Sequence, residues 1–152
     1  MEAIHSADMI VLAPGSLYTS IIPNLLVDGI ADAIRDSKAL KLYVCNVMTQ
    51  EGETEGYTVS DHIQALFSHS YPGLFRLCLT NSTPIPEVIA LRYAQEGAEP
   101  IRHDVEKCRA LGVELIDRPV AALENGLVRH NPGHLAHELM TIYEEYKPKD
   151  PA

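Results

Sequence analysis

Short apolar runs alternate with amphipathic stretches along the whole chain. Asp8 to Leu12 is nearly continuous in apolar residues, as a parallel strand covered on both faces requires, and Lys41 to Val47 repeats the pattern. Between them Ile30, Ala33 and Ile34 fall at helical spacing among Asp28, Asp32, Arg35 and Asp36, predicting a helix that ends near Ser37. A polar loop over Met48–Tyr57 leads to a helix from Thr58, where Thr58 and Asp61 have capping-box spacing and Val59, Ile63, Leu66 and Phe67 form the buried stripe. Leu74 to Leu79 predicts a third strand, and the Asn81–Pro86 loop opens a helix through Val88 and Tyr93. Glu99 to Arg102 reads as a weak strand, Asp104 as the cap of a helix through Leu111, and Val113 to Ile116 as a further strand. Asn131-Pro132 opens a last helix to about Tyr146.

Such alternation predicts a single α/β domain over 1–146 with a mostly parallel sheet flanked by helices. The polar, proline-rich tail 147–152 is expected to fray. Ligands of such sheets gather at the carboxyl ends of the strands. The loops after the first three strands are therefore the candidate functional loops.

The first of these loops is the most informative. Pro14-Gly15 ends the strand sharply, and Gly15 lacks the Cβ that would keep a ligand off the backbone. Ser16 is placed to cap a following helix, with the hydroxyls of Thr19 and Ser20 within one turn. Unpaired N–H groups at a helix start favour a phosphate or carboxylate. A plain strand-to-helix turn fits the same pattern, because the spacing matches neither the dinucleotide fingerprint nor the Walker loop.

The loop after the second strand is longer than such connections usually are. Asn46, Thr49, Gln50 and Thr54 supply amides and hydroxyls suited to a sugar or base, and Glu53 supplies a carboxylate. A solvated connection remains the alternative. Arg129, His130 and Asn131 precede the last helix and read either as an anion clamp, with Asn131 as the cap, or as a surface arginine before a capped helix. His134, His137 and Glu138 share a helical face, but His130 lies outside that helix, so metal ligation is not favoured. Asp61-His62 points about 100° apart on its helix and makes a poor acid/base pair, with His62 expected at the surface or half-buried. No nucleophile motif is present.

Composition narrows the partners. A formal charge of −9 argues against nucleic acid and anionic membrane surfaces. Nothing resembles a signal peptide or a membrane-spanning run, which predicts a cytoplasmic protein without membrane insertion. Cys45, Cys78 and Cys108 are widely spaced, which suggests reduced thiols rather than a disulfide framework or a zinc site.

The run from Ala13 to Val27, with Tyr43–Gln50 and Gly52–His62, resembles the gluconeogenesis factor (YvcK-like) branch of the CofD family. The likeness continues more weakly through Tyr93-Ala94, Ala98–Pro100 and Ala110–Gly112 to Leu127–Asn131. Ala13 stands where the family usually has glycine. Family members also begin with a strand and a Gly-rich turn, so the chain resembles the C-terminal half.

The resemblance implies a Rossmann-like fold and a nucleotide-sugar ligand, UDP-N-acetylglucosamine, in a non-catalytic regulator of gluconeogenic growth, cell-wall synthesis and cell shape. By position, Tyr93 would pack on the ligand and Arg129 would be its charged partner, with Thr49 to Gly56 as part of the pocket. The sister branch implies the alternative, transfer of a phospholactyl group from a nucleotide-activated donor to a deazaflavin precursor, with magnesium only in that case. Half a site is expected to bind weakly, and an uncovered sheet edge makes a homo-oligomer one remedy.

Overall fold

A computed structural model describes residues 1–148. The elements are α1 (Glu2–Ser6), β1 (Met9–Leu12), a π-helix (Leu17–Ile21) running into α2 (Ile22–Leu25), α3 (Ile30–Asp36), β2 (Leu40–Val44), α4 (Val59–Ser68) and β3 (Leu77–Asn81). They continue with α5 (Glu87–Gln95), α6 (Val105–Ala110), β4 (Glu114–Arg118), β5 (Ala121–Glu124), β6 (Leu127–His130) and α7 (Pro132–Tyr146).

The main sheet is all parallel in the order β1-β2-β3-β4, with Leu12 beside Tyr43 and Val44 beside Leu79. A sequential order with right-handed crossovers sends every crossover helix to one face. The strand period of two sorts the side chains accordingly. Leu12, Tyr43, Cys45 and Cys78 point to the crossover side, where they join Ile34, Ile63, Leu66, Phe67 and Cys108. Leu42, Val44, Leu77, Leu79 and Ile116 point the other way. That second face is covered by α7 through Leu135, Leu139 and Ile142, so the chain must return across the sheet after β4.

The return is made by β5 and β6, an antiparallel hairpin separate from the main sheet. Its turn is Asn125-Gly126, both at positive φ (51° and 72°), the combination that a two-residue type I′ hairpin needs. Asn81 anchors it from the end of β3, its Oδ1 accepting the Val120 and Ala121 N–H groups at 3.3 and 3.0 Å.

Several expectations change. The hairpin replaces a featureless approach to the last helix, so Arg129 and His130 end a strand rather than precede a helix through a loop. Leu74 and Phe75 are buried but lie before β3, which starts at Leu77. Glu99–Arg102 forms no strand; Pro100 makes one isolated antiparallel bridge to Met48, because that segment packs on the loop after β2 instead of entering the sheet. The N-terminal helix α1 was not anticipated. His62 is fully buried, packed against Tyr57 with its Nδ1 at 2.8 Å from the Thr58 carbonyl. Burial pushes its imidazole below the usual value despite that bond.

The Thr58–Asp61 capping box forms as predicted. Asp104 does not cap its own helix with its side chain. Its carboxylate turns to the start of α4, where it accepts from the Ser60 N–H at 2.9 Å, from the Thr58 hydroxyl at 2.7 Å and from the Ser60 hydroxyl. The three cysteines are free and buried. Of the tail expected to fray, residues from 149 on lie outside the described residues, while Lys147 closes α7 through an N–H bond to Tyr143. No single helix among the described residues is long and apolar enough to cross a membrane.

Candidate functional site

The loops that leave the carboxyl ends of β1 and β2, together with strand β6, line a cleft of about 290 Å³. Its walls are Pro14-Gly15-Ser16 from the first loop, Asn46-Val47-Met48 from the second, and Val128-Arg129-His130 from β6. Gly15, Ser16, Asn46, Arg129 and His130 are thus brought together from three distant parts of the sequence.

Asn46 holds the first two walls in register. Its side-chain oxygen accepts the Gly15 N–H at 3.1 Å and its amide nitrogen donates to the Gly15 carbonyl at 2.8 Å. This two-way bond makes Asn46 a positioning residue for the turn. The turn continues into the π-helix, not an α-helix, with the Ser20 and Ile21 N–H groups both directed to the Ser16 carbonyl. Ser16 does not cap it through its side chain. The hydroxyl instead donates out of the turn to Gln50 at 3.0 Å and to Glu53 at 2.5 Å. Among the described residues no group accepts from the Ser16 or Leu17 N–H.

Arg129 makes no ion pair or hydrogen bond within the described residues, although the chain carries an excess of nine negative charges. The neighbouring His130 has a buried Nε2 without a hydrogen-bond partner. Burial pushes that imidazole below its ordinary value, opposed in part by the Cys45 backbone. Arg129, the Ser16 turn and the half-buried His130 therefore line one small space. That set of donors favours an anion with several acceptor oxygens, and Arg129 presents the fork that phosphate or carboxylate geometry matches.

The remaining candidate residues fall elsewhere, for reasons that are local. Ser20 lines an apolar groove of about 370 Å³ along the open edge of β1, with Ile10, Ile21, Leu25 and Ile34, and exposed Thr19 lines neither space. Thr49 and Thr54 are buried and serve the loop itself. The Thr49 hydroxyl accepts the Glu99 N–H, and the Thr54 hydroxyl accepts the Gln50 N–H, both at 2.9 Å. Gln50 and Glu53 turn inward onto Ser16, so the long loop is a clasp over the first turn and not a freely solvated connection. Tyr93 spends its hydroxyl on the hairpin, accepting the Val128 N–H at 2.9 Å. Asn131 caps α7 by accepting the His134 N–H at 3.0 Å.

Two contacts were missed in the sequence. Glu53 also accepts the Tyr18 N–H at 2.6 Å, and the Tyr18 and Tyr57 hydroxyls meet at 2.8 Å. The Tyr18 phenol is pushed up to about 12 by that bond, with burial and the Glu53 charge adding to it. The hairpin was missed as well, although Asn125-Gly126 is the strongest short signal for one. Among the described residues no group of three or more His, Cys, Asp or Glu side chains is placed to hold a metal ion, and Glu138 pairs with Arg118 at 3.2 Å.

Comparison with known proteins places these features. The family described as 2-phospho-L-lactate transferase CofD matches residues 1–121. The chain is 46% identical over 140 residues to a gluconeogenesis factor of Halalkalibacterium halodurans, covering 92% of this chain and 44% of that protein. It is 41% identical over 145 residues to the gluconeogenesis factor of Bacillus subtilis, covering 95% and 46%. A crystal structure of a UPF0052-family protein from Bacillus halodurans superposes with a TM-score of 0.87 at 47% identity, over 91% of this chain and 45% of that one. The chain spans a little under half the length of the curated relatives it matches.

Proposed function

The chain belongs to the CofD family, and from that premise we propose that its cleft is one wall of a nucleotide-sugar site in a non-catalytic regulator of gluconeogenic growth. The observation that carries the reading is Arg129, an arginine without an ion pair or hydrogen bond among the described residues, brought by the β6 strand to the cleft formed by the Pro14–Ser16 turn, where the Ser16 N–H has no acceptor among the described residues. The diphosphate of a nucleotide sugar supplies the acceptors that this donor set lacks, and UDP-N-acetylglucosamine is the ligand of choice. The names of the relatives, gluconeogenesis factors, support the regulatory role. A role in cell-wall synthesis and cell shape, in the cytoplasm, belongs to the same proposal.

Affinity limits what this wall does alone. Micromolar binding requires about −8 kcal/mol, while each charged hydrogen bond contributes ~1.5 to 3 kcal/mol before association costs are subtracted. Binding weaker than micromolar is therefore expected from this chain. In an NMR titration with UDP-N-acetylglucosamine, the Gly15, Ser16, Met48 and His130 signals should move, and Arg129→Ala should abolish the change. Movement confined to other residues, or an unaltered response in R129A, would refute the assignment. Submicromolar binding by calorimetry would show that the site is not half of one.

The family description, 2-phospho-L-lactate transferase, supports a second reading, transfer of a phospholactyl group, for which we propose a deazaflavin precursor as acceptor. Appearance of the phosphorylated acceptor after incubation with magnesium and a nucleotide-activated phospholactate would favour it over the regulator.

A further inference from the structure

The donors of the first turn are already partly occupied by a group from the protein itself. Glu53 comes from the clasp loop, 35 residues from Tyr18 in sequence, and seats its carboxylate on the Tyr18 N–H at 2.6 Å and the Ser16 hydroxyl at 2.5 Å. Backbone N–H and serine hydroxyl groups hold a carboxylate and a phosphoryl oxygen by the same charge-assisted bonds. Ser16 belongs to both arrangements, since it also lines the cleft beside Arg129.

We propose that Glu53 is an internal competitor for the anion seat, so that a phosphate-bearing ligand must displace its carboxylate and in doing so unclasps the loop from the π-helix. The proposal rests on the anion reading of the cleft. A phosphate oxygen at the Ser16 hydroxyl would lie beside the Glu53 carboxylate, and their like charges repel at that separation. The clasp turns at Gly52 and Gly56, both at positive φ (74° and 72°), and displacement of the Glu53 side chain leaves these turns in place. The ends of the loop stay in place through Asn46 on Gly15 and Thr49 on Glu99. What changes is the middle: with the ligand on the Ser16 hydroxyl in place of Glu53, the Gln50 contact to Ser16 and the Tyr18–Tyr57 contact are the side-chain ties left between the loop and the first turn and π-helix. Ligand occupancy thereby loosens the hold of Glu53 on the π-helix, while buried Thr54 and its bond to Gln50 keep the loop's own turn.

The test is titration of the ¹⁵N-labelled 152-residue chain with inorganic pyrophosphate, following the Ser16, Leu17 and Tyr18 amides in wild type, E53A, E53Q and R129A. E53Q keeps the shape and an acceptor oxygen while removing the charge, so it controls for any loss of folding in E53A. A seat held by the carboxylate about nine-tenths of the time lowers ligand affinity about tenfold. E53A is expected to tighten pyrophosphate by about that factor, with E53Q in between. If wild type binds, R129A does not, and the Glu53 variants leave affinity unchanged or weaken it, the competitor is overturned and the anion site stands. If the three amides fail to move in every variant, both are overturned.

Discussion

Removal of the Asp104 side chain should be costly, and the cost follows from its geometry. Its carboxylate joins the start of α6 to the start of α4, where the Thr58 hydroxyl, the Ser60 N–H and the Ser60 hydroxyl all donate to it. Thr58 directly follows the clasp loop, so this junction also fixes where that loop ends. Hydrogen bonds to a charged group are each worth ~1.5 to 3 kcal/mol, but three sharing one carboxylate do not add. Asp104→Ala should therefore destabilise by about 2 to 4 kcal/mol, most of it from the uncompensated donors at the α4 terminus. For a domain of this length that corresponds to a fall in Tm of about 4 to 16 °C. Asp104→Asn keeps an acceptor but not the charge and should lose about half as much.

The pH dependence supplies the sharper test. Burial acts to raise the Asp104 pKa, but the Ser60 and Thr58 hydrogen bonds outweigh it and hold the carboxyl below its ordinary value. A depressed folded pKa means the stabilisation is fully present above the unfolded value, about 3.9, and is lost as pH falls through the folded one. The Tm difference between wild type and D104N should therefore be constant from pH 7 to about 5 and shrink towards pH 3. Differential scanning fluorimetry across that range decides the matter. A difference that is flat down to pH 3, or a D104A protein as stable as wild type, would refute the account of the junction.

Two predictions concern the hairpin that carries Arg129. Tyr93→Phe removes the acceptor of the Val128 N–H and should cost about 1 kcal/mol, seen as faster hydrogen exchange at Val128 with the rest of the main sheet unchanged. Gly126→Ala places a Cβ at φ 72° and within 2.7 Å of the Arg92 guanidinium; the flexible arginine gives way, but the backbone strain of about 1 to 2 kcal/mol remains. Gly126→Asn should be tolerated better in chemical denaturation, since asparagine enters the left-handed region more readily, and equal losses for the two would argue against a type I′ turn.

Tyr93 illustrates what the fold adds to a position along the chain. By resemblance it would pack on a ligand, yet its hydroxyl is committed to Val128. Thr49 and Thr54 read as sugar-binding hydroxyls and instead satisfy the N–H groups of their own loop and its neighbour, which burial makes obligatory. Asp104 has the spacing of a cap and caps a different helix. In each case residue type indicates the chemistry, and the fold supplies the partner found within the chain. A short polar side chain declares what it can bond, while its partner depends on which segments the sheet brings alongside.

The sequence by itself determined the elements of the main sheet and the helices that cross it, because strand and helix periods are written in the spacing of apolar side chains. It also determined the sharp Pro14-Gly15 turn, the Thr58 capping box and the Asn131 cap, all of which act within a few residues. Only the tertiary structure decided that Gly15 meets Asn46, that Glu53 closes on Ser16 and Tyr18, and that Arg129 and His130 complete the cleft. Those contacts join residues 31 or more positions apart. They follow from strand register and from the return of the chain over the sheet, and no local periodicity records either.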